Sequence, residues 1–145
     1  MYGQTHGYQV EHHDRTIWTH DTQPGARCSP DATVTAEGVV GLAEIKTARG
    51  GWAWRDVAQD IRDPAEVEDL PVPAYGIQCY WQLLISGRTW VDLVVLPIGH
   101  DVAEIVDALA DSPHAGAVGP LVDALASRLV VCRVHASVPF QRQLG

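Results

Sequence analysis

The chain is poor in the residues that staple, coat or span. Of its 145 residues only three are cysteine, at 28, 79 and 132. The number is odd and no two have CxxC spacing, so a disulfide framework or a zinc finger is not expected, and Cys28, Cys79 and Cys132 read as reduced, mostly buried thiols. Basic residues are scarce as well: ten Lys and Arg stand against 18 Asp and Glu, a formal net charge of -8. That balance argues against a protein that coats nucleic acid by bulk attraction. It leaves room for an enzyme whose carboxylates gather divalent cations and whose basic surface is local. No apolar run approaches the roughly 18 residues needed to span a bilayer, and the start MYGQTHGYQVEHHD lacks the basic and apolar stretches of a signal peptide. The expectation is a cytoplasmic globule without membrane contact. Zinc hydrolase chemistry is not expected, because the seven histidines include one adjacent pair and no HExxH; GxSxG, P-loop and dinucleotide motifs are also missing.

What is present is the composition of an ordinary globule, 46% hydrophobic and 19% charged. The length predicts one domain, residues 1–145, around one core. Residues 1 to 25 are polar and weakly specified, with Tyr8, Val10, Ile17 and Trp18 as apolar candidates for a short edge strand. CSPDATVT and GVVGLAEIKT are β-branched, partly alternating runs joined by Ala36, Glu37 and Gly38, the pattern of a hairpin. A short helix through Trp52 and Trp54 and an exposed acidic loop, EVEDLPVP, are expected next. Pro73 then stands at a first helical position, and AYGIQCYWQLLI continues to Ser86 and Gly87, the strongest helix in the chain. TWVDLVVLP reads as a buried strand closed by Pro97. Asp101 and Glu104 have capping-box spacing for a helix over 101–111; AGAVGP reads as a loop, PLVDALAS as one or two helical turns and RLVVCRV as a last strand. This order predicts an α/β (α+β) domain with a mixed central sheet flanked by helices.

The chemistry concentrates on the hairpin. Glu44 and Lys46, two apart on a strand, share a face with Leu42, and pairing brings Asp31 alongside them. Two carboxylates with the Ile45 carbonyl would make an all-oxygen site for Mg²⁺ or Mn²⁺, and Lys46 beside it could neutralise charge developing on a phosphodiester. A cross-strand salt bridge on a solvated face is the plainer alternative. On the strong helix Gln78 and Gln82 are spaced i, i+4. Gln78 can reach a phosphate or a water at the site, whereas Gln82 reads as part of a solvated face. Arg49, Arg55, Trp52 and Trp54 could grip or stack on DNA, although an aromatic pair after a strand more often packs.

CSPDATVTAEGVVGLAEIK, AYGIQ on a helix and the strand TWVDLVVLP, together with GYQVEHHD, resemble the YqaJ-type viral recombinase exonucleases, the family of the bacteriophage lambda exonuclease within the PD-(D/E)xK nucleases, over roughly residues 7 to 98. The resemblance implies a restriction-endonuclease-like core. It implies Asp31 and Glu44 as metal ligands with the Ile45 carbonyl, Lys46 as the catalytic lysine and Gln78 as the helix glutamine. The family often has a second glutamine two residues later, where this chain has Tyr80, which joins Arg49, Arg55 and Trp52 as a candidate DNA contact. The implied activity is Mg²⁺-dependent 5′-to-3′ digestion of duplex DNA ends in recombination, with a ring-like homo-oligomer and a single-strand annealing protein as partners. The family's upstream helix with its glutamate and basic 5′-phosphate contact is expected to be missing, and residues 99–145 match the family poorly. Two other readings remain: a structure-specific or restriction-like endonuclease of the same superfamily, and a degenerate module that binds DNA or protein without cutting.

Overall fold

The computed structural model describes residues 2–12, 17–23, 25–49, 51–111 and 115–136. In chain order its elements are α1 (Tyr2–His6), β1 (Gln9–His12), β2 (Trp18–Thr19), β3 (Arg27–Cys28), β4 (Ala32–Ala36), β5 (Val39–Arg49), α2 (Gly51–Trp54), β6 (Asp60–Ile61), a 3₁₀ helix (Pro64–Asp69), α3 (Pro73–Ser86), β7 (Trp90–Ile98), α4 (His100–Ala110), α5 (Ala115–Ala126) and β8 (Val130–His135). Six strands form one mixed sheet in the order β1-β4-β5-β7-β8-β6, flanked by helices, while β2 and β3 make a separate antiparallel ribbon. The fold is mixed α/β, as the alternation of elements predicts.

The hairpin forms between β4 and β5, with register from Ala32↔Ala43 to Ala36↔Val39. Its turn residues Glu37 and Gly38 have φ of 51° and 80°, the left-handed conformation at both central positions that a two-residue loop requires. The first run is not one strand, however. Pro30 has no N–H for a ladder, and upstream of it Arg27 and Cys28 pair with Thr19 and Trp18 instead.

β5 pairs in parallel with β7, from Leu42↔Val91 to Arg49↔Ile98, so the chain must cross over between them. That crossover is α2, the short strand β6, the 3₁₀ helix and α3. α3 starts on Pro73 and stops at Gly87, whose φ of 70° gives the left-handed cap that glycine accepts at little cost. Its inward side places Cys79, Tyr80 and Leu83 in a core with Leu42, Ala48, Leu93, Val95, Trp54 and Ile61. The opposite face of the sheet carries a second core of Tyr2, Ala32, Val34, Ala43, Trp90 and Val94. β7 therefore buries side chains on both faces, which accounts for its nearly continuous apolar sequence.

Four expectations are corrected. The helix α5 runs through Gly119 and Pro120, where a loop is expected; Leu125 on it is buried, and the helix packs along α4. Asp101 does not cap α4, whose N-cap is Gly99; its carboxylate instead accepts a 2.7 Å bond from Arg128 Nε. A capping box does form at Asp63 and Glu66, so the stretch read as an exposed loop contains a 3₁₀ helix that buries Val67. Pro97 does not end β7, which continues to Ile98.

Candidate active site

The pleat of β5 sends Glu44 and Lys46 to the α3 side of the sheet and Ile45 to the other, where Ile45 is 43% exposed. Glu44 is only 4% exposed, and a carboxylate at that depth needs partners. It has three. Gln78 Nε2 donates to Oε1 at 2.9 Å, Lys46 Nζ pairs with the same oxygen at 2.9 Å, and Gln82 Nε2 donates to Oε2 at 2.7 Å. Gln82 is thus not part of a solvated face. It is 1% exposed, and one helical turn of α3 is enough to put both amides on the same carboxylate.

Asp31 stands one residue ahead of the paired part of β4. Continuing the register would set it opposite Glu44, and its Oδ2 accepts the Ile45 N–H at 2.8 Å. A residue's N–H and C=O lie along the same edge of an extended strand, so the Ile45 carbonyl also faces the Asp31 side. The segment leading to Asp31 is tied to the glutamine helix by the Trp81 Nε1 bond to the Arg27 carbonyl, 2.8 Å. Asp31, Glu44, Lys46 and Gln78 are therefore brought together at one end of the hairpin.

Lys46 is held from both sides, with its ammonium 5.3 Å from the centre of the Tyr75 ring and that ring stacked on Trp54 at 5.9 Å. Burial alone would lower its pKa. The hydrogen bond and charge of Glu44, with the charge of Asp31, outweigh burial and hold the ammonium above the usual lysine value. Beside the site, burial and then the Glu44 charge push the Cys28 thiol up to about 11.

The candidate DNA contacts divide. Arg49 and Arg55 are exposed, at the end of β5 and just after α2. Arg55 lines a cavity of about 660 Å³ with Asp101, Ser127 and Arg128, at the end of β7. Tyr80 is 1% exposed within the core, so it offers no ring face to a base, and burial pushes its hydroxyl up to about 12. Trp54 is wholly buried, the packing alternative, and the Trp52 side chain lies outside the described residues.

Sequence reasoning missed a polar centre on the other face of the sheet. Asp92 on β7 is 0% exposed and is gripped by Arg133 of β8 through Nε–Oδ1 at 2.7 Å and Nη2–Oδ2 at 3.0 Å, with the Tyr2 hydroxyl donating to Oδ2. The Arg133 guanidinium lies 3.8 Å above the Trp90 ring. A lone aspartate inside an otherwise apolar strand was the available signal, since a buried charge implies a partner.

Could the oxygen-rich end of the hairpin take a metal? Among the described residues no group of three or more His, Cys, Asp and Glu comes together. The donor set is two carboxylates and a carbonyl, all hard oxygens, and the bond from the Ile45 N–H to the Asp31 carboxylate engages Oδ2. This chemistry suits Mg²⁺ or Mn²⁺ rather than zinc.

The fold and geometry define a class, a mixed sheet with a strand-end cluster of two carboxylates, a lysine and an amide. No family model matches the chain, and no curated protein matches it. Among solved structures it is similar to an alkaline exonuclease, LHK-Exo, from Laribacter hongkongensis, at 22% identity and a TM-score of 0.47 over 87% of this chain. It spans 63% of that protein's chain. Among the described residues no helix is long and apolar enough to cross a membrane.

Proposed function

We propose that the chain is a divalent-cation-dependent DNA nuclease of the PD-(D/E)xK type, acting on duplex ends in the manner of the recombination exonucleases. The observation that carries this is the grouping of Asp31, Glu44, Lys46 and Gln78 where β4 and β5 stop pairing; the other buried carboxylate among the described residues, Asp92, is closed off by Arg133.

Asp31, Glu44 and the Ile45 carbonyl would hold Mg²⁺ or Mn²⁺. Bound there, the cation supplies positive charge against a phosphodiester oxygen and lowers the pKa of a nearby water toward neutrality. The protein's own part is electrostatic and positional. Lys46, kept charged against burial by the bond and charge of Glu44, stands where negative charge grows as the phosphorus gains a fifth oxygen, and the Tyr75 ring limits where its ammonium can go. Gln78, half-buried with its amide at Glu44, can turn that amide to a phosphate oxygen or to the attacking water. Arg49 and Arg55 are the local basic groups for the DNA backbone in a chain whose net charge is negative.

The test compares linear duplex, circular duplex and single-stranded DNA incubated with the chain and Mg²⁺. Loss of the linear duplex from its 5′ ends, abolished by chelation and by Glu44→Gln, is the expected result. Cutting of circles would favour the endonuclease reading. DNA binding without any cutting in Mg²⁺ or Mn²⁺ would make the chain a non-catalytic module.

A further inference from the structure

The two oxygens of Glu44 are not held alike. Oε1 carries Gln78 and Lys46, whose side chains reach the solvent edge of the site, Lys46 with a quarter of its side-chain surface exposed. Among the described residues Oε2 carries one donor, Gln82, which is buried, as are its helix neighbours Cys79 and Leu83. Partners at the edge can swing away and be replaced; the buried one has nowhere to go.

Gln82 also has an unmet need. Its own Oε1 is buried and finds no hydrogen-bond partner among the described residues. Turning the amide over would set that oxygen against Glu44 Oε2 and lose the 2.7 Å bond, so the orientation is fixed by the carboxylate. A methionine or leucine would fill the same space without a stranded acceptor. Packing alone therefore does not account for a glutamine here, whereas a task at Glu44 does.

We propose that Gln82 is a positioning residue that pins Oε2 of Glu44, so that a divalent cation is admitted at Oε1 alone. This rests on the cation-dependent reading of the site given above and adds a basis for selectivity. A carboxylate free to rotate can offer a cation both oxygens at once, a mode Ca²⁺ accepts readily. Mg²⁺, small and strictly octahedral, prefers one oxygen from each carboxylate. Holding Oε2 favours Mg²⁺ over Ca²⁺ before any DNA arrives.

The experiment measures binding, not turnover. Mg²⁺ and Ca²⁺ are titrated calorimetrically into the full chain, into Gln82→Met and into Gln78→Met. Gln82→Met should weaken Mg²⁺ binding about tenfold, the scale of one hydrogen bond to a charged group, and Ca²⁺ binding much less. Gln78→Met, which removes a competitor from Oε1, should weaken neither. Should Gln82→Met not fold, the wild-type side-chain amides followed by NMR decide: through Mg²⁺ saturation the Gln82 amide should keep its hydrogen-bonded shift while the Gln78 amide moves. Equal weakening in both variants, or release of the Gln82 amide, would overturn the assignment and leave the cation reading standing. No saturable Mg²⁺ or Mn²⁺ binding by the wild-type chain would overturn both.

Discussion

Replacing Lys46 by methionine separates chemistry from folding. The methionine keeps much of the aliphatic stem and removes the charge beside the Tyr75 ring and the 2.9 Å bond to Glu44. Stripping a buried carboxylate of its cation can cost about 3–5 kcal/mol when nothing else compensates. Here Gln78 and Gln82 remain on Glu44 and the lysine is partly open to water, which brings the expected loss down to about 1 kcal/mol. For a chain of this size that lowers the melting temperature by roughly 2–4 °C. The effect on turnover belongs to another scale. Removing one group aimed at transition-state charge typically lowers the rate by about 10² to 10³. Lys46→Met should therefore digest linear duplex at least about a hundredfold more slowly at a temperature where both proteins are folded, a drop far too large for the small change in stability. Initial rates of nucleotide release, measured beside a thermal melt of the same samples, give both numbers. A rate within threefold of the wild type would move the chemistry away from Lys46, and a variant that does not fold would make the lysine structural.

The pH dependence of that stability difference follows from the raised lysine pKa. A group held above its unfolded value of 10.5 contributes fully below that value, and its contribution fades as pH rises through the higher folded value. The gap between wild type and Lys46→Met in urea unfolding should thus be constant from neutrality to about pH 10 and close above it; closure near pH 8 would contradict the ion pair. On the other face of the sheet, Arg133→Met strands the fully buried Asp92 carboxylate and should cost about 3–5 kcal/mol, a fall of roughly 10 °C in a calorimetric melt. Adding Asp92→Leu should recover most of it, and an unchanged melting temperature in the single variant would refute the pairing. Cys28, with its thiol pushed up to about 11, should alkylate slowly at pH 8 and faster as pH rises toward 11, as mass spectrometry after timed iodoacetamide exposure will show.

Local chemistry was legible where it is self-contained. The turn at Glu37 and Gly38, the α3 start at Pro73 and stop at Gly87, and the shared face of Glu44 and Lys46 follow from residues within a few positions of one another. Gln82 failed for the opposite reason. Its depth is set by how α3 lies across β5, which no helical periodicity contains, and a glutamine at i+4 reads equally well as solvated or clamped. Asp92 and Arg133 meet only because β7 and β8 pair in the register Asp92↔Arg133. Helix α5 defeats local reading outright, because Gly119 and Pro120 signal a loop and packing against α4 overrides them.

The parallel pairing of β5 with β7 also sets a sequence of events in folding. The Asp31 bond to Ile45 spans 14 positions and can close with the hairpin itself, whereas the Gln78 and Gln82 bonds to Glu44 span 34 and 38 and must wait for the crossover to lay α3 on the sheet. Loop closure of that length favours local contacts first. A hairpin formed alone would hold two carboxylates and a lysine at its end with no helix over them. The nascent chain should therefore pass through a stage in which Glu44 is still hydrated and both its oxygens are free to turn, and selectivity for a small cation should be among the last properties it acquires.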